Sequence, residues 1–185
     1  MIKRRAEIIR EPVKKIVFCY KYFQEIYHKL KASEPNIIFI NRLEDVEDLL
    51  EPGTLVVLDD VISDLKENSK NHEMVTRWFV SSSHHLHTSF WILLQNPYPK
   101  GLRTISLNSQ YAVDLPNPRD MSIMTQISKQ IAPGQSSYVT ESYIRATSRK
   151  KHGYLFMNLD GRSSESRYWL RSSVLPEDDT EVYLP

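Results

Sequence analysis

Leu55-Val56-Val57-Leu58, opened by the β-branched Thr54, is an unbroken apolar run that ends in two adjacent carboxylates, Asp59 and Asp60. Side chains of a strand point alternately to its two faces, so a strand apolar at every position needs cover on both sides. That condition belongs to a parallel sheet with helices on each face, and parallel neighbours need long crossovers between them. The run therefore predicts strand–helix alternation in the rest of the chain.

The alternation is there. Lys15–Tyr20 reads as a strand, and the segment from Tyr22 to Leu30 carries Tyr22, Phe23, Ile26, Tyr27 and Leu30 at helical spacing. Asn36–Ile40 is a second strand, and Leu43–Leu50 a short acidic helix ended by Pro52-Gly53. Residues 63–72 read as a polar loop or a loosely held helix. Glu73–His85 is a helix with Met74, Val75, Trp78 and Phe79 on one face, and Thr88–Gln95 is another buried strand. Tyr111–Leu115 is a short strand, Met121–Ile131 and Tyr138–Ala146 are helices, Gly153–Leu159 is a strand and Tyr168–Leu175 an edge strand. The expected fold is α/β, a mostly parallel sheet with helices on both faces and right-handed crossovers. It spans one domain, residues 1–175, followed by a mobile acidic tail at 176–185.

Composition removes several classes of function. The net charge of +1 over 185 residues supplies no global basic field, so any nucleic-acid contact needs a local patch. Arg145, Arg149, Lys150 and Lys151 form one, although a solvated helix end has the same composition. The single cysteine, Cys19, cannot form an internal disulfide and lies in an apolar run, which favours a reducing compartment and a packing role. No apolar run approaches the roughly 20 residues of a membrane span, and the basic Met1–Glu7 segment lacks the apolar core of a signal peptide. Cytoplasm or nucleus is the expected location.

The chemistry concentrates at strand ends. Open α/β sheets bind ligands outside the carboxyl ends of their strands, where Asp59 and Asp60 stand. The run Trp91-Ile92-Leu93-Leu94 ends similarly, in Gln95-Asn96. If the two strands are neighbours, Gln95 can hold a water and Asp60 can take its proton. Each tip alone has a plainer reading, a solvated Asp-Asp turn or a capping amide. His84, His85 and His87 cannot all face one ion on a helix, and no carboxylate or cysteine lies close to them in sequence.

The order of these segments resembles the FtsK/HerA-type genome-packaging ATPases of the poxvirus-type superfamily, closest to the Polinton/Maverick and adintovirus-like branch. The resemblance rests on Lys15–Tyr20, Gly53–Asp60, Ser83–His85, Leu94–Gly101, Arg103–Tyr111, Asn117-Pro118-Arg119-Asp120, Ala146–Ser148 and Gly153–Leu155. It implies that Asp59 is the Walker B carboxylate that orders Mg²⁺ through water, Asp60 the catalytic base, and Gln95 the polar sensor. Arg119, or alternatively Arg103, would sense a neighbour's γ-phosphate in trans. The implied cofactors are ATP and Mg²⁺. The implied partners are double-stranded DNA, capsid or portal-vertex proteins, and further copies of the chain in a hexameric ring, with virion association.

One departure matters. None of the five glycines is followed by Lys and then Ser or Thr, so these residues contain no Walker A loop, G-x-x-x-x-G-K-[ST]. Residues 2–10 have the apolar spacing of the helix such a loop opens, and a Gly-rich loop is expected upstream of Met1. The resemblance also implies a hydrophobic central strand before that loop, and without it two buried strands would lose a neighbour unless the sheet rearranges. Three readings follow: an ATPase whose N-terminal part was lost, a silent relic, or a non-catalytic DNA- or capsid-interaction module on the same fold.

Overall fold

Lys15–Tyr20 forms β1, the strand around which the first half of the chain is built. A computed structural model describes residues 1–95, 101–119, 121–162, 169–175 and 179–185. It divides into two compact units, Met1–Asn108 and Ser109–Pro185.

In the first unit a 3₁₀ turn (Ile2–Arg4) leads into α1 (Arg5–Ile8), then β1, α2 (Ile26–Ser33), β2 (Ile37–Ile40), α3 (Glu44–Glu47) and β3 (Thr54–Asp59). A 3₁₀ turn at Ile62–Asp64 precedes α4 (Lys70–Arg77), whose N-cap Ser69 accepts a hydrogen bond from the His72 amide at 3.2 Å. This helix runs through a π-helical turn, Trp78–Ser82, into α5 (Ser83–His85). β4 (Ser89–Leu93) and α6 (Arg103–Asn108) complete the unit. Several helix boundaries differ from expectation. The helix read from Tyr22 starts only at Ile26, leaving Tyr22 and Phe23 in the preceding loop, and Ser69 starts α4 inside residues 63–72, which read as a polar loop or a loosely held helix.

The sheet order is β2-β1-β3-β4, and every pair is parallel. β1 and β3 pair directly from Lys15↔Thr54 to Tyr20↔Asp59, so the two most buried strands have ladders on both sides. Alternation then sorts their side chains. Val17, Cys19, Val56 and Leu58 pack against Leu43, Val46, Met74, Val75, Trp78 and Phe79. Ile16, Phe18, Leu55 and Val57 pack against Tyr27 and Ile37, with Ile2, Ile9 and Leu30 at the margin. Ile92 and Leu94, which the pattern marks as core, are only half-buried, because among the described residues β4 pairs with β3 alone.

The second unit contains β5 (Tyr111–Asp114), α7 (Ser122–Ile131), α8 (Ser136–Ser148), β6 (Leu155–Asn158), β7 (Leu170–Arg171) and β8 (Val182–Tyr183). Its four strands form an antiparallel sheet, β5-β6-β7-β8, which strand–helix alternation does not predict. Within the acidic terminal segment, residues 179–183 are not free. Val182–Tyr183 pairs with β7, Arg149 binds Asp179 at 2.7 Å and also Glu181, and the Tyr138 hydroxyl donates to the Tyr183 carbonyl at 2.6 Å. Among the described residues no helix is long and apolar enough to cross a membrane.

Candidate functional site

The parallel register determines which strand ends meet. Asp59 pairs with Tyr20 on one side and Leu93 on the other, so β1, β3 and β4 finish level at one carboxyl edge. Asp59 is the last residue of β3, and both it and Asp60 are half-buried. Gln95 is exposed, two residues beyond Leu93, at that same edge; its neighbour Asn96 lies outside the described residues.

Asp60 has φ of +56°, in the left-handed region that non-glycine residues rarely occupy and that Asp tolerates better than most. The turn this creates lifts the chain off the strand immediately after Asp59. Asp59 itself is held twice. Its Oδ2 accepts a hydrogen bond from the Tyr27 hydroxyl at 2.5 Å, and its carbonyl oxygen accepts from the Lys21 amide at 3.3 Å. Burial first, and the Asp59 carboxylate next, push the Tyr27 hydroxyl well above its ordinary range, so it remains a donor. Lys21 leaves β1 at the same edge and pairs with Asp64, whose carboxylate raises the Lys21 ammonium.

Sequence reasoning misses Tyr27, Lys21 and Asp64. Tyr27 reads as one apolar position of a helix face, and nothing local joins it to a carboxylate in β3. Cys19 behaves as the sequence suggests: burial, reinforced by Asp64, Asp45 and Glu44, pushes its thiol up to about 12, leaving a neutral, inert packing group.

Two adjacent carboxylates hold a bare divalent cation only weakly. Among the described residues no cluster of three or more metal-ligating side chains exists. A pair of hard oxygen donors suits Mg²⁺ carried in on phosphates, which takes one or two protein carboxylates and keeps several waters. Asp59 and Asp60 fit that role. His84 and His85 close α5, and His87 stands 3.5 Å from Glu11 with both side chains exposed, a surface pair rather than a metal centre.

Arg103 is the exposed first residue of α6 in the first unit. Arg119 belongs to the second unit, where it is exposed and its amide donates to Asn117 Oδ1 at 3.3 Å; Asp120 lies outside the described residues. The loop before Arg119 is pinned by Tyr143, whose hydroxyl donates to the Leu115 carbonyl and accepts from the Asn117 amide. In the basic cluster, Arg149 is engaged by Asp179 and Glu181, and the Arg145 guanidinium lies 5.5 Å from the centre of the Tyr183 ring. Lys150 and Lys151 are exposed.

No family model matches the chain, and no curated protein matches it. Solved structures do. The genome packaging NTPase B204 from Sulfolobus turreted icosahedral virus 2, in complex with ATP-gammaS, aligns with a TM-score of 0.53 at 13% identity, over 86% of this chain and 81% of that one. Its complex with sulfate aligns with a TM-score of 0.55 at 13% identity, over 88% and 82%. At such identity the likeness speaks for the fold alone: the chain shares with those structures an α/β architecture in which a parallel sheet is flanked by helices.

Proposed function

We propose that this chain is the ATPase-like domain of a motor that packages double-stranded DNA, of the Polinton/Maverick and adintovirus-like branch. The observation that carries the reading is the β3–β4 register, which brings Asp59, Asp60 and Gln95 to one carboxyl edge of a packaging-NTPase-like sheet. Bound Mg·ATP would supply the phosphoryl group and its activating cation. Asp59 orients the water shell of that cation, Asp60 accepts the proton of the attacking water, and Gln95 holds that water in place. Arg119, or Arg103, supplies positive charge to the γ-phosphate of a neighbouring copy in a hexameric ring. Lys150 and Lys151, with Arg145 and Arg149, are the patch for DNA phosphates; a capsid or portal-vertex protein is the second macromolecular partner, and the motor works inside the cell and on the virion.

These 185 residues hold no G-x-x-x-x-G-K-[ST] loop. Carboxylates alone cannot position a triphosphate, so the domain turns over only with phosphate contacts from elsewhere. Steady-state assay of the chain with Mg²⁺ and duplex DNA should therefore read background. Turnover that disappears in Asp60→Asn would refute the need for a separate cradle. The site itself is tested by Mn²⁺ titration of the labelled chain: amide resonances of residues 58–61 should broaden first, and Asp59→Asn should abolish the effect. Broadening elsewhere only would refute the site.

A further inference from the structure

We propose that Tyr27 is a positioning residue for Asp59, holding one carboxylate oxygen so that the other is presented to the water shell of a bound cation; this rests on the site reading above. The bond spans 32 residues of sequence at 2.5 Å, and Tyr27 is 3% exposed. Its ring is seated from several sides: Phe39 stacks on it at 5.5 Å and 22°, Phe23 meets it edge-on at 5.3 Å and 87°, and Phe18 and Tyr20 lie at 5.0 and 5.4 Å. These rings come from β1, β2 and the loop before α2, so the phenol is fixed by three separate elements before its hydroxyl reaches Asp59.

A tyrosine has two side-chain torsions, and this packing leaves neither free. The hydroxyl is thus a rigid donor aimed at a carboxylate that stands on the last rung of the β1–β3–β4 ladder. The lone-pair capacity of Oδ1 is left for solvent or a ligand. The left-handed turn at Asp60 separates the second carboxylate from the first, so the two acids are oriented by independent devices, a side-chain bond for Asp59 and a backbone turn for Asp60. Groups that hydrogen-bond a metal-facing carboxylate from behind act in this manner, and their removal typically weakens metal affinity 10–100-fold.

The test compares the chain with its Tyr27→Phe and Asp59→Asn variants. Phenylalanine keeps the ring and deletes only the donor. Each ¹⁵N-labelled protein is titrated with Mn²⁺ alone, the apparent affinity is read from paramagnetic broadening of the amides at 58–61, and metal-free thermal unfolding is recorded in parallel. The expected result is an affinity about tenfold weaker in Tyr27→Phe, with the metal-free spectrum unchanged outside the segments around residues 27 and 59, and no site-specific broadening in Asp59→Asn. Wild-type affinity, or a tighter one, in Tyr27→Phe overturns the inference while leaving the Asp59 site standing, whatever happens to the melting temperature. Absence of broadening at 58–61 in the wild type overturns both the inference and the site reading.

Discussion

Asp114, the last residue of β5, should make the chain less stable as pH rises from acid to neutral, and Asp114→Asn should reverse that. Oδ2 of Asp114 is buried with no hydrogen-bond partner among the described residues. Burial alone raises its carboxyl from the ordinary 3.8 to about 6; no neighbouring charge contributes. Between those two pH values the folded chain keeps a proton that the unfolded chain has released, so each increment of pH in that window lowers stability. Below 3.8 the carboxyl is neutral in both states and no penalty exists, and above about 6 the penalty is complete and constant. At about 1.4 kcal/mol per tenfold change in proton affinity, the gap amounts to about 3 kcal/mol. Asparagine has nearly the shape of the protonated acid and never ionises. Asp114→Asn should therefore exceed the wild type by about 2–3 kcal/mol at pH 7.5, and the two should converge near pH 4. For a chain of this length that is a melting difference of roughly 4–12 °C. Thermal unfolding of both proteins from pH 4 to 8, followed by circular dichroism, reads it directly. A difference that does not change with pH, or a wild type the more stable at pH 7.5, would refute the reasoning.

Other perturbations probe the packing. Trp78 is 0% exposed in the π-helical turn, stacks on Phe90 at 5.7 Å and donates to Glu47. Trp78→Ala should cost about 3–5 kcal/mol in denaturant unfolding, and a loss below 1 kcal/mol would mean that the face against α4 is not the core. At Gly153 an added Cβ would meet the Ala146 carbonyl oxygen at 2.4 Å and that of Thr147 at 3.0 Å, both backbone atoms at the end of α8. Gly153→Ala should thus lower the melting temperature by an amount corresponding to about 1–3 kcal/mol, and an unchanged melting curve would show that the α8–β6 connection yields freely.

The strands of the first unit were legible because each carries its own punctuation. Lys15–Tyr20 is read and found with the same bounds, and the Thr54–Asp59 run declares burial on both faces through composition alone. The juxtaposition of Asp59 and Gln95 at one edge follows once β3 and β4 are parallel neighbours. The second unit was less legible. Tyr111–Asp114 and Leu155–Asn158 are visible as short apolar segments, but four residues do not encode the direction of a partner, and their antiparallel pairing is set by tertiary packing. Val182–Tyr183 sits in a stretch whose acidity suggests solvent. Glu181 and Asp179 instead neutralise Arg149, a pairing across 30 residues that no local pattern announces. Tyr27 is the same lesson at the site. Its hydrophobic ring obeys the helix pattern, while its hydroxyl answers to a residue on another strand.

The order β2-β1-β3-β4 also governs how the chain leaves the ribosome. β1 is apolar on both faces, and its second ladder is made by β3, which is synthesised after β2. At about 5–20 residues per second the interval from Tyr20 to Asp59 is roughly 2–8 s. Throughout it one edge of β1 stays open, and the face later covered by Trp78 and Phe79 stays bare. Chaperones that grasp extended apolar segments have their best opportunity there. Slower translation between residues 40 and 54 lengthens this exposure.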